Sequence, residues 1–444
     1  MKHGKQSHDF YERARKVIPY GVNSNFRYWS NDDTPVVADA RDGYVWDFDG
    51  NRYIDYRLGF GPIILGHADP FVTERVVEAI KHGVTFAATQ EYEVRVAEHM
   101  VAMCPGVDMV RLANSGTECT MHAIRIARAH TSRDVILKFE GSYHGMYDYM
   151  LWSTASGRIE GMGDRRQPTP YRQSPGIPDA MRDLVQVCPW NNTEILGDML
   201  AQRGEEIAAI IVEPMLGNAF GLTPDPGYLA FLREQCDQYG IMLIFDEVKV
   251  GFRIAPGGAA EYFDVIPDLS TFAKAMGNGY PIAAIGGKRH IMMEVGPGKV
   301  AHGGTYTGNV VGTAAADATL EFIRTGEVFT NINRVGKTLM DGVTEILTRH
   351  SVAHHLHGSE GMFGVTFGER KPRDFRDIYE YCDLALQEAV GGYLVDHGIL
   401  VEPEGWEPFF LCSDHSDGDA AETLQKFEDA VRAALEVRQT VAAD

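Results

Sequence analysis

Three short segments of this chain carry residues that could do chemistry together. Lys274 lies in Ser270-Thr-Phe-Ala-Lys274-Ala-Met-Gly-Asn-Gly, between an apolar strand and a Gly-rich turn. Desolvation there lowers an amine's pKa, and a neutral amine forms an imine with an aldehyde; a solvated turn lysine is the alternative. Asp246 ends the apolar run Ile241-Met-Leu-Ile-Phe. A carboxylate at the mouth of a buried strand needs a cationic or hydrogen-bonding partner, and an ion pair with Arg253 would make it purely structural. Asn114-Ser-Gly-Thr-Glu follows a strand and opens a helical stretch, Cys119 to Arg128. Its free N–H groups, the hydroxyls of Ser115 and Thr117 and the close approach allowed by Gly116 make a seat for phosphate; an ordinary helix cap is the competing reading.

An anion seat, a carboxylate for a pyridinium nitrogen and an imine-forming amine are what catalysis with pyridoxal 5′-phosphate (PLP) requires. With Glu140-Gly-Ser-Tyr-His-Gly, Val212-Glu-Pro, Asp246-Glu-Val-Lys-Val-Gly-Phe-Arg, Phe272-Ala-Lys274 and Gly304-Thr-Tyr-Thr-Gly-Asn309, the chain resembles the class III aminotransferases in order and spacing over nearly its whole length. Within that family it looks most like the glutamate-1-semialdehyde 2,1-aminomutase branch, through Gly21-Val-Asn-Ser-Asn-Phe-Arg27, Gly59-Phe-Gly-Pro, Leu65-Gly66-His67 and Trp406-Glu407. The resemblance implies the type I fold of PLP-dependent transferases, with Lys274 and Asp246 catalytic and Lys274 joined to the cofactor as a Schiff base. It implies that Ser115, Gly116 and Thr117 bind phosphate, that Tyr143 and Val248 pack on the two ring faces and that Asn218 approaches the ring hydroxyl. Thr305 would reach the phosphate of a neighbouring subunit, hence a homodimer with shared active sites.

On the substrate side, Arg27 matches the branch's Asn-Ser-x-x-Arg motif, and a guanidinium fork suits a carboxylate. Ser156, Glu407 and Phe60 match further substrate positions. Three departures bear on pocket shape: Phe60 stands where the branch has Trp, Pro408-Phe409 replaces small residues, and Tyr20 replaces Gly. One ring edge or methylene is worth about 1–3 kcal/mol of discrimination. The expected activity is therefore an aminotransferase moving an amino group between a carboxylate-bearing amino compound and a keto acid. The alternatives are an aminomutase, a racemase or epimerase using the same Lys, and a silent PLP-fold binding module; the presence of Lys274, Asp246 and Tyr143 speaks against the last.

The elements that must position these residues are legible from periodicity. Short apolar runs alternate with amphipathic stretches: Met109-Val-Arg-Leu, Val135-Ile-Leu-Lys-Phe, Ile207-Ala-Ala-Ile-Ile-Val, Ile241-Met-Leu-Ile-Phe and Ile282-Ala-Ala-Ile. This spells an α/β fold with a mostly parallel sheet, whose ligands sit past the carboxyl ends of the strands. Residues 66–325 are expected to form a large PLP-binding domain, with 1–65 and 326–444 contributing a small α+β domain from both termini. The Gly- and Pro-containing stretch Ser153 to Pro178 is a lid candidate, and its Arg158, Arg165, Arg166 and Arg172 could meet a substrate carboxylate or remain a solvated basic loop.

With 62 acidic against 41 basic residues, the charge of −21 repels nucleic acid and anionic lipid, so a small-molecule amino donor and keto acid acceptor are the expected partners. The six cysteines lack Cys-x-x-Cys spacing, the N-terminus lacks a signal-peptide core and no long apolar span occurs, which together suggest a cytoplasmic protein with reduced thiols. His354-His-Leu-His357 has metal-like spacing but no acid or Cys nearby, and no metal is expected.

Overall fold

The computed structural model describes residues 3–155 and 159–443. Seven strands form the central sheet in the spatial order Met109–Ala113, Ala283–Gly287, Leu269–Phe272, Met242–Asp246, Ile207–Val212, Val135–Phe139, Val185–Cys188. Only Ala283–Gly287 runs against the rest. This is the α/β arrangement with a mostly parallel sheet that the alternation of apolar and amphipathic runs calls for.

Strand periodicity explains how the sheet is covered. Ile207–Val212 and Met242–Asp246 are buried at every position, and alternate side chains enter different cores. Ile210, Val212, Leu243 and Phe245 pack with the helices Thr193–Arg203 and Tyr228–Tyr239. Ala209, Ile211, Met242 and Ile244 face the helix Gly116–Thr131 through Cys119, Ala123, Ile126 and Ala127. The carboxyl ends of the parallel strands are thereby brought to one edge, where the 114–117 turn, Asp246 and Lys274 meet.

Segments from both ends of the chain share a second sheet, Asp39–Arg41, Tyr44–Trp46, Arg52–Asp55 and Ile399–Leu400, the last pairing parallel to Arg52–Asp55. The long helices Glu327–Arg349 and Asp417–Ala443 pack on one another, and His354–Ser359, Met362–Phe367 and Phe409–Phe410 form a third sheet. All six cysteines are free thiols. Among the described residues no helix is long and apolar enough to cross a membrane.

Arg253 departs from the ion pair with Asp246 considered from sequence. It is completely buried, and its guanidinium donates to the carbonyls of Gly61, Ile63, Gly361 and Leu411. A planar five-donor fork can satisfy several carbonyls at once. The histidines 354–357 do not converge on a common point either: His354 Nδ1 meets the Val352 carbonyl and His357 Nε2 the Thr366 hydroxyl.

Replacing Arg253 by Met leaves several buried carbonyls without donors, at about 1–3 kcal/mol for each group left unsatisfied. The expected result is a thermal unfolding midpoint lowered by several degrees, read by circular dichroism, with Arg253→Lys intermediate.

Candidate active site

The helix Gly116–Thr131 begins at Ser115, whose hydroxyl accepts from the Glu118 N–H as a cap. The cap reading of Ser115 thus holds, and beside it the N–H groups of Gly116 and Thr117 find no acceptor within the described chain. They open onto a cavity of about 470 Å³ lined by Arg27, Ser115, Gly116, Thr117, Tyr143, Asn218, Asp246, Val248, Lys249 and Lys274. A Cβ on Gly116 would stand 2.8 Å from Val248 Cγ2, so only glycine lets the helix start close against that side chain.

Asp246 ends its strand, and Oδ2 meets His144 Nδ1 at 2.6 Å, while Oδ1 accepts from the Val248 N–H and, at 3.3 Å, from the Thr271 hydroxyl. Both members of the His144–Asp246 pair are buried. The neighbouring Tyr143 is fixed through its backbone, whose N–H donates to Glu213 Oε1 at 2.8 Å. Glu213 also receives the Gly217 N–H at 3.0 Å. Burial, and then the negative charges of Asp246 and Glu213, push the Tyr143 phenol up to about 12, so it is a neutral wall of the cavity at physiological pH.

Lys274 follows Leu269–Phe272 and adopts φ 51°. A non-glycine residue in this left-handed region costs about 1 kcal/mol, and such strain collects where a side chain must be aimed. Its amine is pushed down to about 7, first by desolvation and then by the neighbouring Lys249 ammonium, with Glu407, Glu213 and Asp246 opposing. It is thus divided between ammonium and neutral amine near neutral pH, the condition for attack on an aldehyde.

Of the residues singled out from sequence, Arg27, Ser115, Gly116, Thr117, Tyr143, Asn218, Asp246, Val248 and Lys274 line this one cavity. Phe60 and Glu407 line an adjoining cavity of about 710 Å³, which Asn218 also borders. Thr305 is exposed and borders neither. Ser156 and Arg158 lie outside the described residues. The other lid arginines are taken by acids of the chain: Arg165 by Asp374 and Asp377, Arg166 by Glu194, and Arg172 by Asp179. His144, Glu213 and Lys249 were not singled out. All three stood in quoted motifs, Tyr-His-Gly, Val-Glu-Pro and Asp246-Glu-Val-Lys, without a role being given to them.

The cavity fits PLP. It offers two free backbone donors at a helix start for phosphate, an amine of low pKa, a buried carboxylate, and walls from Tyr143 and Val248. Comparison with known proteins agrees. The family model "Aminotransferase class-III" matches residues 28–431. Glutamate-1-semialdehyde 2,1-aminomutase of Methanothermobacter thermautotrophicus is 39% identical, covering 96% of this chain and 99% of its own. The Thermoplasma acidophilum protein of the same name is 38% identical, over 95% and 98%. Among solved structures, an omega-transaminase from Sphaerobacter thermophilus superposes with a TM-score of 0.89 at 31% identity, covering 97% and 98%. A transaminase with PLP bound gives 0.86 at 26%, covering 98% and 99%.

The lowered pKa of Lys274 is open to test in cofactor-free protein. Acylation of Lys274 should reach half its maximal rate near pH 7, against pH 10 or above for exposed lysines, as followed by peptide mass spectrometry. A Lys274 profile matching the exposed lysines would refute the low pKa.

Proposed function

The chain belongs to the class III aminotransferases, which use pyridoxal 5′-phosphate, and from that premise we propose that it moves an amino group between carbons of small carboxylate-bearing compounds. In keeping with its relatives, the first substrate proposed is glutamate-1-semialdehyde, with the amino group exchanged between C2 and C1 of one molecule. The observation that carries the reading is Arg27, a guanidinium without an acidic partner among the described residues, in the same cavity as Lys274. A charge-assisted fork there holds a substrate carboxylate and orients the amino-bearing carbon toward the Lys274 amine.

When bound, PLP supplies an aldehyde that captures amines and a ring that accepts the electron pair released at the substrate carbon. The residues proposed to hold it are Ser115, Gly116 and Thr117 at the phosphate, Tyr143 and Val248 on the ring faces, and Asn218 at the ring hydroxyl. Asp246, oriented by His144, holds a proton on the ring nitrogen. Lys274 takes the proton from the amino-bearing carbon and returns it, a task suited to a base whose pKa lies near the working pH. Thr305, on an exposed turn, is proposed to complete the phosphate site of a second copy, so that the working unit is a homodimer. The free thiols are in keeping with a cytoplasmic setting.

Transfer to a separate keto acid is the second reading. It is favoured by Phe60, where the aminomutase pattern has Trp, and by the engagement of Glu407 with Lys249 at 2.5 Å.

The deciding assay supplies glutamate-1-semialdehyde alone to PLP-loaded protein and follows the position of the amino group by chromatography. Migration from C2 to C1 without added keto acid supports intramolecular exchange. Turnover only when an amino donor and a keto acid are both present supports the second reading, and no turnover in either case defeats both. Arg27→Gln should raise KM for the carboxylate-bearing substrate on the order of a hundredfold, about 2–3 kcal/mol for a lost charged hydrogen bond, with a smaller effect on kcat.

A further inference from the structure

Three cationic side chains line the inner cavity: Arg27, Lys249 and Lys274. The first and last have roles in the function proposed above; Lys249 has none. Its side chain is 6% exposed, and the ammonium donates to the Gly217 carbonyl at 2.9 Å, Asn218 Oδ1 at 2.7 Å and Glu407 Oε2 at 2.5 Å.

These acceptors differ in kind. Gly217 and Asn218 follow the central strand Ile207–Val212 in a segment pinned by Glu213, so they stay with Lys249. Glu407 lies in the irregular stretch between Ile399–Leu400 and Phe409–Phe410, and Lys249 is the only polar partner of its carboxylate among the described residues. It stands at the border of the outer cavity, which Glu402 and Glu404 also line. The pair therefore stands where the two cavities meet: Lys249 lines the inner one, Glu407 the outer and Asn218 both. An ammonium left unmatched in such a buried place is strongly unfavourable, so Glu407 can leave only in exchange for another anion.

We infer that Lys249 is a second carboxylate-binding residue of this pocket and that Glu407 is its replaceable counter-ion. A dicarboxylate amino acid or keto acid then binds with one carboxylate on Arg27 and the other on Lys249, displacing Glu407 toward the outer cavity. Charge balance at Lys249 is kept throughout. A monocarboxylate substrate leaves Lys249 and Glu407 paired, so one pocket accepts both kinds of molecule without an uncompensated charge. This specificity role rests on the function proposed above only for the identity of the cavity and the carboxylate role of Arg27.

The test is calorimetric titration of the PLP-loaded protein with glutarate, an inert dicarboxylate, and with butanoate, its monocarboxylate counterpart. The wild type should bind glutarate at least tenfold more tightly. Lys249→Met should bring the ratio of affinities to about one, Lys249→Arg should restore it, and Glu407→Gln should tighten glutarate several-fold by removing the competing anion. An unchanged ratio in Lys249→Met, or unchanged or weaker glutarate binding in Glu407→Gln, overturns the inference. The Glu407→Gln result decides alone if Lys249→Met does not fold. Failure of amino transfer on glutamate-1-semialdehyde is a separate result, because glutarate binding is read without turnover.

Discussion

Asp246 places a carboxylate among side chains that exclude water, and the architecture around the cavity answers that one charge. Its oxygens are met by the imidazole of His144, the N–H of Val248 and the hydroxyl of Thr271, from three separate parts of the chain. A buried carboxylate without such partners would be strongly unfavourable, so the strand end, the 143–144 turn and the neighbouring strand are held in one arrangement. His144 is bound through its ring, and Tyr143 through its N–H to a second buried carboxylate, Glu213. Two adjacent residues are thus clamped by two acids, which fixes the backbone that presents the Tyr143 ring to the cavity.

The same low-dielectric surroundings shape the cations. Lys274 loses its proton readily because burial and the Lys249 charge act in one direction, while three carboxylates restrain the shift. Lys138 shows the first effect without the second cation. It is fully buried, donates to the Ser142 and Trp152 carbonyls and is likewise pushed down to about 7 by burial. What separates the two lysines is access: Lys274 borders the cavity in a left-handed backbone turn, whereas Lys138 is consumed in holding a loop. A low pKa marks a candidate, and only its position decides whether chemistry can use it.

Those positions explain how much was legible from sequence. Lys274, Asp246 and the 114–117 turn each close a run of strand-like residues, and a parallel sheet collects such ends at one edge, so local pattern sufficed for them. The partners were less legible because hydrogen bonding between distant segments is set by packing. Asp246 meets His144 and leaves Arg253 to four carbonyls, a choice that no spacing in the sequence encodes. The family motif likewise named Glu407 without showing that Lys249, quoted within the Asp246–Arg253 motif but given no role, occupies its carboxylate. Phe60 and Glu407 border the outer chamber, and the loops that carry them are tied to distant segments, Gly61 to Arg253 and Glu407 to Lys249.

The buried guanidinium of Arg253 has a consequence for how the chain reaches this state. Its acceptors stand 192, 190, 108 and 158 residues away along the chain, from both the N-terminal loop and the C-terminal strands. Contacts of such long sequence separation form late, after loop-closure entropy has been met by other pairings. The guanidinium thus ties the turn that follows Asp246 and Lys249 both to a loop that precedes it in the chain and to strands that come after it. The inner cavity is lined by residues between 27 and 282, whereas the outer one also draws on residues between 388 and 407, so it is the outer chamber that depends on the last part of the chain.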